Sequence, residues 1–445
     1  MAKGWLYAWG LGSVALGGAS LIIPLYVVAL GGTPFTLGVL AGIAAFVGVP
    51  GALVFGRLAD RTGKRRLFVL GALGLVAAML LLMPAVDSIA VVVVANGAIW
   101  FAFAAATPVL TLLAVSDVPP DSWSTRIAIL NKYQGVGWAL GLLFGAVWTG
   151  TAERFLSPGW VFDGFFLLTG ICAGIGLIVG VRTFPVNPAT RRADGTPRLS
   201  GDRIRRALRR SDRFSVRTVT FPFTPARSDF RGLRFDRLVD RFTPELALYF
   251  GAVFVFFSGF SGFFAPLPAF LSDTGFTSGE IFLLYLVSSA GAAVAFGTAG
   301  RLATRFDVGV FQAAGLLVRG VAIPSVAVVG LLLGATPASL GTTAAVFAVI
   351  GLTWAVIAVT AGTLVTRLAP MTVRGEALGV YAAIGALAGG FGSILGGYLA
   401  AIDYLLAFGT AGGLVVAGAG IVFVVRRRAG YLSTNLRPRD PPRNC

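Results

Sequence analysis

Histidine is absent from the 445 residues, and cysteine occurs only as Cys172, inside an apolar run, and Cys445. These shortages exclude an imidazole base, a clustered zinc site and a disulfide framework. Charge is scarce too, at 12% against ~25% in soluble domains. No nucleophile, base and orienting group fall together, and there is no phosphate loop or metal-ligand spacing, so an enzyme is not expected. What is abundant is apolar: 56% of the residues are hydrophobic, more than a soluble interior of this size can hide. Glycine is also plentiful, at 60 residues, but it follows no collagen period and the apolar excess excludes disorder.

The apolar residues are grouped. Runs fall at about 5–30, 35–57, 67–86, 89–116, 127–150, 161–183, 245–271, 278–302, 308–334, 338–367, 376–402 and 404–425. A bilayer span takes ~20 apolar residues, and a helix is the open-chain way to satisfy its backbone in lipid. The expected fold is therefore an all-α integral membrane protein of twelve transmembrane helices. The first run is too long for the core of a signal peptide and reads as the first span.

The net charge of +17 invites a nucleic-acid reading, but its distribution argues against one. Fifteen of the 36 basic residues lie between Arg191 and Arg241, and six more follow Val425. Most others sit in alternate gaps between apolar runs. With both termini in the cytoplasm nearly every basic gap faces inward, leaving Asp87, Glu153, Asp163, Asp273, Glu280 and Asp403 outside. The expected location is the plasma membrane. The organisation follows: a six-helix bundle over 1–184, a cytoplasmic Arg-rich linker over 185–243, a second six-helix bundle over 244–428 and a basic tail over 429–445. Within the linker, Phe235, Leu238, Val239 and Phe242 share one helical face and suit anionic lipid, although the segment also reads as a plain solvated connector.

The two halves repeat. Gly56-Arg57-Leu58-Ala59 returns as Gly300-Arg301-Leu302-Ala303, Arg126 with Gly137 and Gly141 as Arg374 with Gly385 and Gly389, and Pro24-Leu25 as Pro266-Leu267. Six spans is an even number, so the duplication is parallel. The loop after the second span reads Gly56-Arg57-Leu58-Ala59-Asp60-Arg61-Thr62-Gly63-Lys64-Arg65-Arg66. At these residues the chain resembles the major facilitator superfamily, whose corresponding loop carries G-x-L-A-D-R-x-G-R-R. The resemblance implies two pseudo-symmetric six-helix bundles that rock about a midplane site. It also implies a conformational latch of Gly56, Asp60, Arg61, Gly63 and Arg65, with the Asp60 carboxylate meeting the start of the eleventh span near Arg374. In the second half Thr304 replaces the aspartate, so the latch is expected on one side only. Pro24-Leu25-Tyr26, Leu30-Gly31, Gly38 and Pro50 look most like the drug and metabolite proton antiporters of the superfamily. Gly137-x3-Gly141-x3-Gly145 partly matches their fifth-span motif, but spaced glycines also serve plain helix packing.

The resemblance implies a cavity lined by spans one, four, seven and ten. Those spans supply Tyr26; Asn96, Trp100 and Thr107; Ser258 and Ser261; and Trp354, with Ser20, Tyr249, Thr353 and Thr360 beside them. Such a lining is aromatic and hydroxylated, which suits a lipophilic ligand better than a sugar. Ionisable or amide residues inside spans are functional candidates. They are Asn131, Lys132, Gln134 and Arg319, with Lys132 near enough to an end to snorkel and Glu245 or Glu280 as conceivable partners for Arg319. No acid occupies the centre of a span, which weighs against simple carboxylate-driven antiport. Coupling through Asp60, Asp163, Glu245 or Glu280, driven by a proton gradient, stays open, as does facilitated diffusion.

The expected function is efflux of small lipophilic compounds by alternating access. Uptake or uniport of a neutral metabolite is the alternative, and a scaffold or sensor whose basic loop docks a partner or anionic lipid is a third class. The expected partners are a small-molecule substrate and membrane lipid, not nucleic acid. The expected state is a monomer without cofactor or metal.

Overall fold

The computed structural model describes residues 4–62, 65–115, 123–185, 242–370 and 373–435. Among them the regular structure is entirely helical. Twelve long helices follow in order: α1 (Gly4–Ala29), α2 (Pro34–Thr62), α3 (Arg65–Leu82), α4 (Ile89–Val115), α5 (Trp123–Ala152), α6 (Pro158–Thr183), α7 (Pro244–Phe264), α8 (Ser278–Arg305), α9 (Val308–Leu333), α10 (Pro337–Leu368), α11 (Arg374–Ala400) and α12 (Tyr404–Asn435). Eleven of them are long and apolar enough to cross a bilayer, and α2 has a shorter apolar stretch at Pro34–Pro50. The helix starts are set locally. Thr243 and Thr336 accept the backbone N–H groups of Leu246 and Ser339, Asp307 accepts that of Val310, and Thr277 forms a capping box with Glu280.

Two sequence expectations shift at helix ends. The seventh span is not one helix: α7 stops at Phe264 and a short helix, Leu267–Asp273, completes the crossing. Its counterpart α1 runs unbroken through Pro24. The second half carries Pro268 as well as Pro266, and two missing N–H donors within three residues break the ladder where one only bends it. At the other end α12 continues to Asn435, past residue 428. The amphipathic stretch at 235–242 lies, but for Phe242, outside the described residues.

Helices α1–α6 pack as one group, with α1 against α5 and α6, α2 against α4, and α3 against α4 and α6. Helices α7–α12 repeat this arrangement, with α7 against α11 and α12, α8 against α10, and α9 against α10 and α12. Glycine makes the closest of these approaches. A methyl at Gly137 would stand 2.5 Å from the Gly10 carbonyl oxygen, and one at Gly141 would enter the backbone of Val14 and Gly18. In the second half Gly392 and Gly396 sit on the backbones of Ser258 and Gly262 in the same way. The first two glycines of the 137–141–145 series therefore serve α1–α5 packing.

The start of α1, the end of α6, the start of α7 and the end of α12 lie at one end of the molecule, the near end; the far end carries the turns at 30–33, 153–157, 274–277 and 401–403. The two bundles meet along α2–α11 and α5–α8. Among the described residues every glycine approach between bundles lies in the far half. Gly38 stands against Ser393 and Gly397, Gly42 against Ile394, Gly279 against Gly150, and Gly145 receives the buried ring of Phe282. Phe282 also meets Phe165 edge-on at 5.6 Å. The far half is a packed seam.

Candidate functional site

In the first bundle the cavity candidates on α4 line up along one helix but differ in their bonds. Asn96 is buried and its Nδ2 donates at 3.5 Å to the Leu40 carbonyl on α2. Trp100, one turn on, lies between Phe103 and Trp138, each 6.1 Å away by ring centroid. Behind them Trp9 stacks on Phe103 at 5.6 Å and 10°, and its indole N–H has no partner. Thr107 spends its hydroxyl on its own helix, at the Phe103 carbonyl. Tyr26 is apart from this group. It sits near the far end, donates to the Val86 carbonyl at 2.8 Å and packs against Phe162 and Phe166. On α5, Asn131 and Gln134 are buried while Lys132 is exposed.

The second bundle gathers more. Trp354 on α10 meets Phe257 and Phe260 of α7 edge-on, each at 6.2 Å, and Phe257 reaches Tyr381 of α11 at the same distance. Ser258 and Ser261 are buried on α7; the Ser258 hydroxyl has no partner, and Ser261 lies beside Gly389. Arg319, midway along α9, lies beneath the same rings and is fully buried. Its guanidinium carbon stands 4.3 Å from the Phe260 ring centre, 5.7 Å from Phe264 and 5.8 Å from Trp354. Nη1 donates to the Ile350 carbonyl at 2.7 Å and to Thr353 Oγ1 at 3.5 Å, whereas Nε has no partner. Neither Glu245 nor Glu280 is among these contacts. Glu280 is occupied in its own capping box, accepting from the Thr277 N–H at 2.9 Å and from its hydroxyl at 3.0 Å.

One buried polar pair escaped the sequence reading of α9. Gln312 bonds the Tyr249 hydroxyl at 2.9 to 3.0 Å, joining α9 to α7. The signal was present: Gln312 and Arg319 are seven residues apart, two helical turns, on a single face of an apolar helix.

At the near end, Gly56, Asp60 and Arg61 fall in the last turns of α2, where only the backbone is described, and Gly63 lies outside the described residues. Arg65 and Arg374 begin α3 and α11. In the second half Thr304 donates to the Arg301 carbonyl, and Asp307 pairs with Arg426 of α12 at 3.0 Å. Partial burial would raise the Asp307 carboxyl, but the Val310 N–H, Arg426 and the Gly309 N–H together hold it below its ordinary value. That acid ties α9 to α12 within one bundle.

The profile of the Major Facilitator Superfamily matches residues 8–393. No curated protein matches by sequence. Solved structures share the fold at low identity. A bacterial homologue of the human lysosomal transporter Spinster, inward-facing and unoccupied, is 16% identical over 98% of each chain with a TM-score of 0.65. The peptide transporter POT in complex with sulfate is 18% identical over 96% of this chain and 94% of its own, at 0.68. The nucleoside transporter NupG is 12% identical over 98% and 99%, at 0.63.

Proposed function

Because the chain belongs to the major facilitator superfamily, we propose that it moves small lipophilic organic compounds across a membrane by alternating access, in the direction of efflux. The observation that carries this reading is the aromatic character of both bundles. Trp100, Phe103 and Trp138 in one, and Phe257, Phe260, Trp354 and Tyr381 in the other, offer π faces with few polar tips. Such surfaces gain affinity by apolar burial. The packed far half supports one of the two access states, open toward the near end. The basic character of the loops at that end supports a cytoplasmic orientation for it.

Coupling narrows to fewer acids. Glu280 is held by its capping box, so the coupling proposed here runs through the other border acids, Asp60, Asp163 or Glu245. The want of any acid at the centre of a span favours a second reading, uniport of a neutral metabolite. Asp60 is assigned as the latch that stabilises one closed state. The test is flux of a lipophilic fluorescent cation from proteoliposomes, with and without a pH gradient, in wild type and Asp60→Asn. Gradient-driven flux that slows in the variant, with ligand affinity held within a few fold, supports the coupled exporter. Flux indifferent to the gradient and to Asp60 contradicts both the coupling and the latch.

A further inference from the structure

The outer surface of the seam between α2 and α11 carries a groove of about 320 Å³, lined by Phe35 and Phe46 of α2 and by Phe391, Ile394, Leu395 and Tyr398 of α11. The lining is apolar throughout, and its four aromatic rings stand exposed on the protein's surface. Phe35 lies at the far end of α2 and Phe46 eleven residues deeper, so the groove runs about 16 Å at the ~1.5 Å rise of a helical residue. That is the depth of one leaflet, half of a hydrocarbon core of ~30 Å.

Beneath the rings the two helices touch. A Cβ at Gly38 would stand 2.5 Å from the Ser393 carbonyl oxygen, one at Gly42 2.8 Å from Ile394, and one at Gly390 2.5 Å from the Phe46 ring. The groove therefore has a closed floor and opens outward to lipid, and it is not a passage to the interior. Its volume over its length gives a mean cross-section of about 20 Å², far below the roughly 80 Å² of a helix about 10 Å across. A helix of a second copy does not fit into it, whereas an extended hydrocarbon chain does. The apolar lining also offers no hydrogen bond to a peptide backbone or a lipid head group. Within a bilayer the gain on filling such a groove is dispersion: the ring walls hold their shape, and a narrow gap left empty forfeits contacts on every side.

We propose that this groove binds one acyl chain of a phospholipid in the far leaflet, and that the bound chain stabilises the closed far seam. Phe35 and Phe46 belong to the first bundle and the other four lining residues to the second, so parting of the bundles takes one wall away. A ligand that binds one of two states better shifts the population toward that state. The chain site needs only the structure, whereas its bias on the cycle rests on the alternating-access reading.

The test uses the purified full chain in a steroid glycoside detergent, which has no acyl chain to compete. It is titrated with a sixteen-carbon phosphatidylcholine that carries a photoreactive diazirine midway along one chain. The expected result is one saturable label per protein, on the peptides that contain Phe46 and Phe391, competed by unlabelled sixteen-carbon lipid and not by an eight-carbon lipid at equal concentration. Phe391 packs on Phe254 of its own bundle at 5.7 Å, so Phe391→Ala removes a wall of the groove and leaves the glycine contacts of the seam in place. Labelling should be lost. Leu395→Trp fills the groove from a lipid-facing position, and should give the same loss if Phe391→Ala fails to fold. The second readout is the distance between spin labels on Phe155→Cys and Ile402→Cys, at exposed far-end turns of the two bundles, in a Cys172→Ser, Cys445→Ser background. Lipid should raise the ratio of closed to open seam by ~5-fold or more, over the concentrations that saturate labelling, and leave Phe391→Ala unmoved. Label spread evenly over the lipid-facing helices overturns the site, as does labelling unchanged in both variants. An unlabelled groove in a dimeric protein also overturns it, and gives the surface to a second copy. A far-end distance that ignores saturating lipid overturns the bias on the cycle, while the labelling result stands apart from the carrier reading.

Discussion

At the scale of single residues, the chemistry sits where neighbours are shared between helices. Trp100 is held between Phe103 and Trp138, and Trp100→Ala is expected to weaken binding of a lipophilic ligand roughly tenfold, about 1.4 kcal/mol, read by tryptophan quenching or dialysis. Binding that does not move would take the first bundle out of the cavity. Asp307 gives a pH prediction with a definite sign. Its folded carboxyl lies below the unfolded value of ~3.9, so its contribution is present above that pH and is lost as pH falls through the lower folded value. Asp307→Asn keeps a helix cap but removes the charge. The pair is about half exposed, so wild type should exceed the variant by only ~0.2 to 1 kcal/mol at neutral pH, with the gap closing toward pH 3 in thermal melts. Arg319 marks the limit of reading residues in sequence. Its depth in the ninth span was legible, but sequence distance pointed to Glu245 or Glu280, and only the fold shows that Glu280 turns back on Thr277 and that rings and a carbonyl surround the guanidinium.

At the scale of helices, nearly everything about existence was legible and much about contact was not. Twelve runs of apolar residues became twelve helices because a span has no other way to pair its backbone. The break in the seventh was hidden because Pro266 alone has a harmless twin in Pro24, and the added effect of Pro268 depends on local geometry. Glycines illustrate the same limit. Gly385 and Gly396 share α11, yet a methyl on Gly396 would enter the backbone of Gly262, whereas one on Gly385 meets nothing within 4 Å. Gly396→Ala should therefore destabilise by ~1 to 3 kcal/mol through forced separation of α7 and α11. Gly385→Ala should be neutral or gain up to ~1 kcal/mol from its better helix propensity. Equal melting temperatures for the two variants would contradict the packing described for that helix pair.

At the scale of the whole molecule, the parallel repeat announced two similar bundles, and the family match places the chain among carriers built this way. The sequence could not say which half of the interface is closed, because the same glycine spacing serves contacts within a bundle and between bundles. Gly137 and Gly141 face α1, while Gly145, in the same series, faces α8 of the other bundle. The seam of α2 with α11 and α5 with α8 in the far half is what a rocking carrier must open. Gly42 and Ile394 lie across that seam, with a Cβ at Gly42 falling 2.8 Å from the Ile394 side chain, within reach of a disulfide. The decisive measurement is flux through a Gly42→Cys, Ile394→Cys protein in a Cys172→Ser, Cys445→Ser background, oxidised and then reduced in the same proteoliposomes. Flux absent when the bridge is formed and restored on reduction is the predicted result; undiminished flux through fully bridged protein would contradict alternating access across this seam.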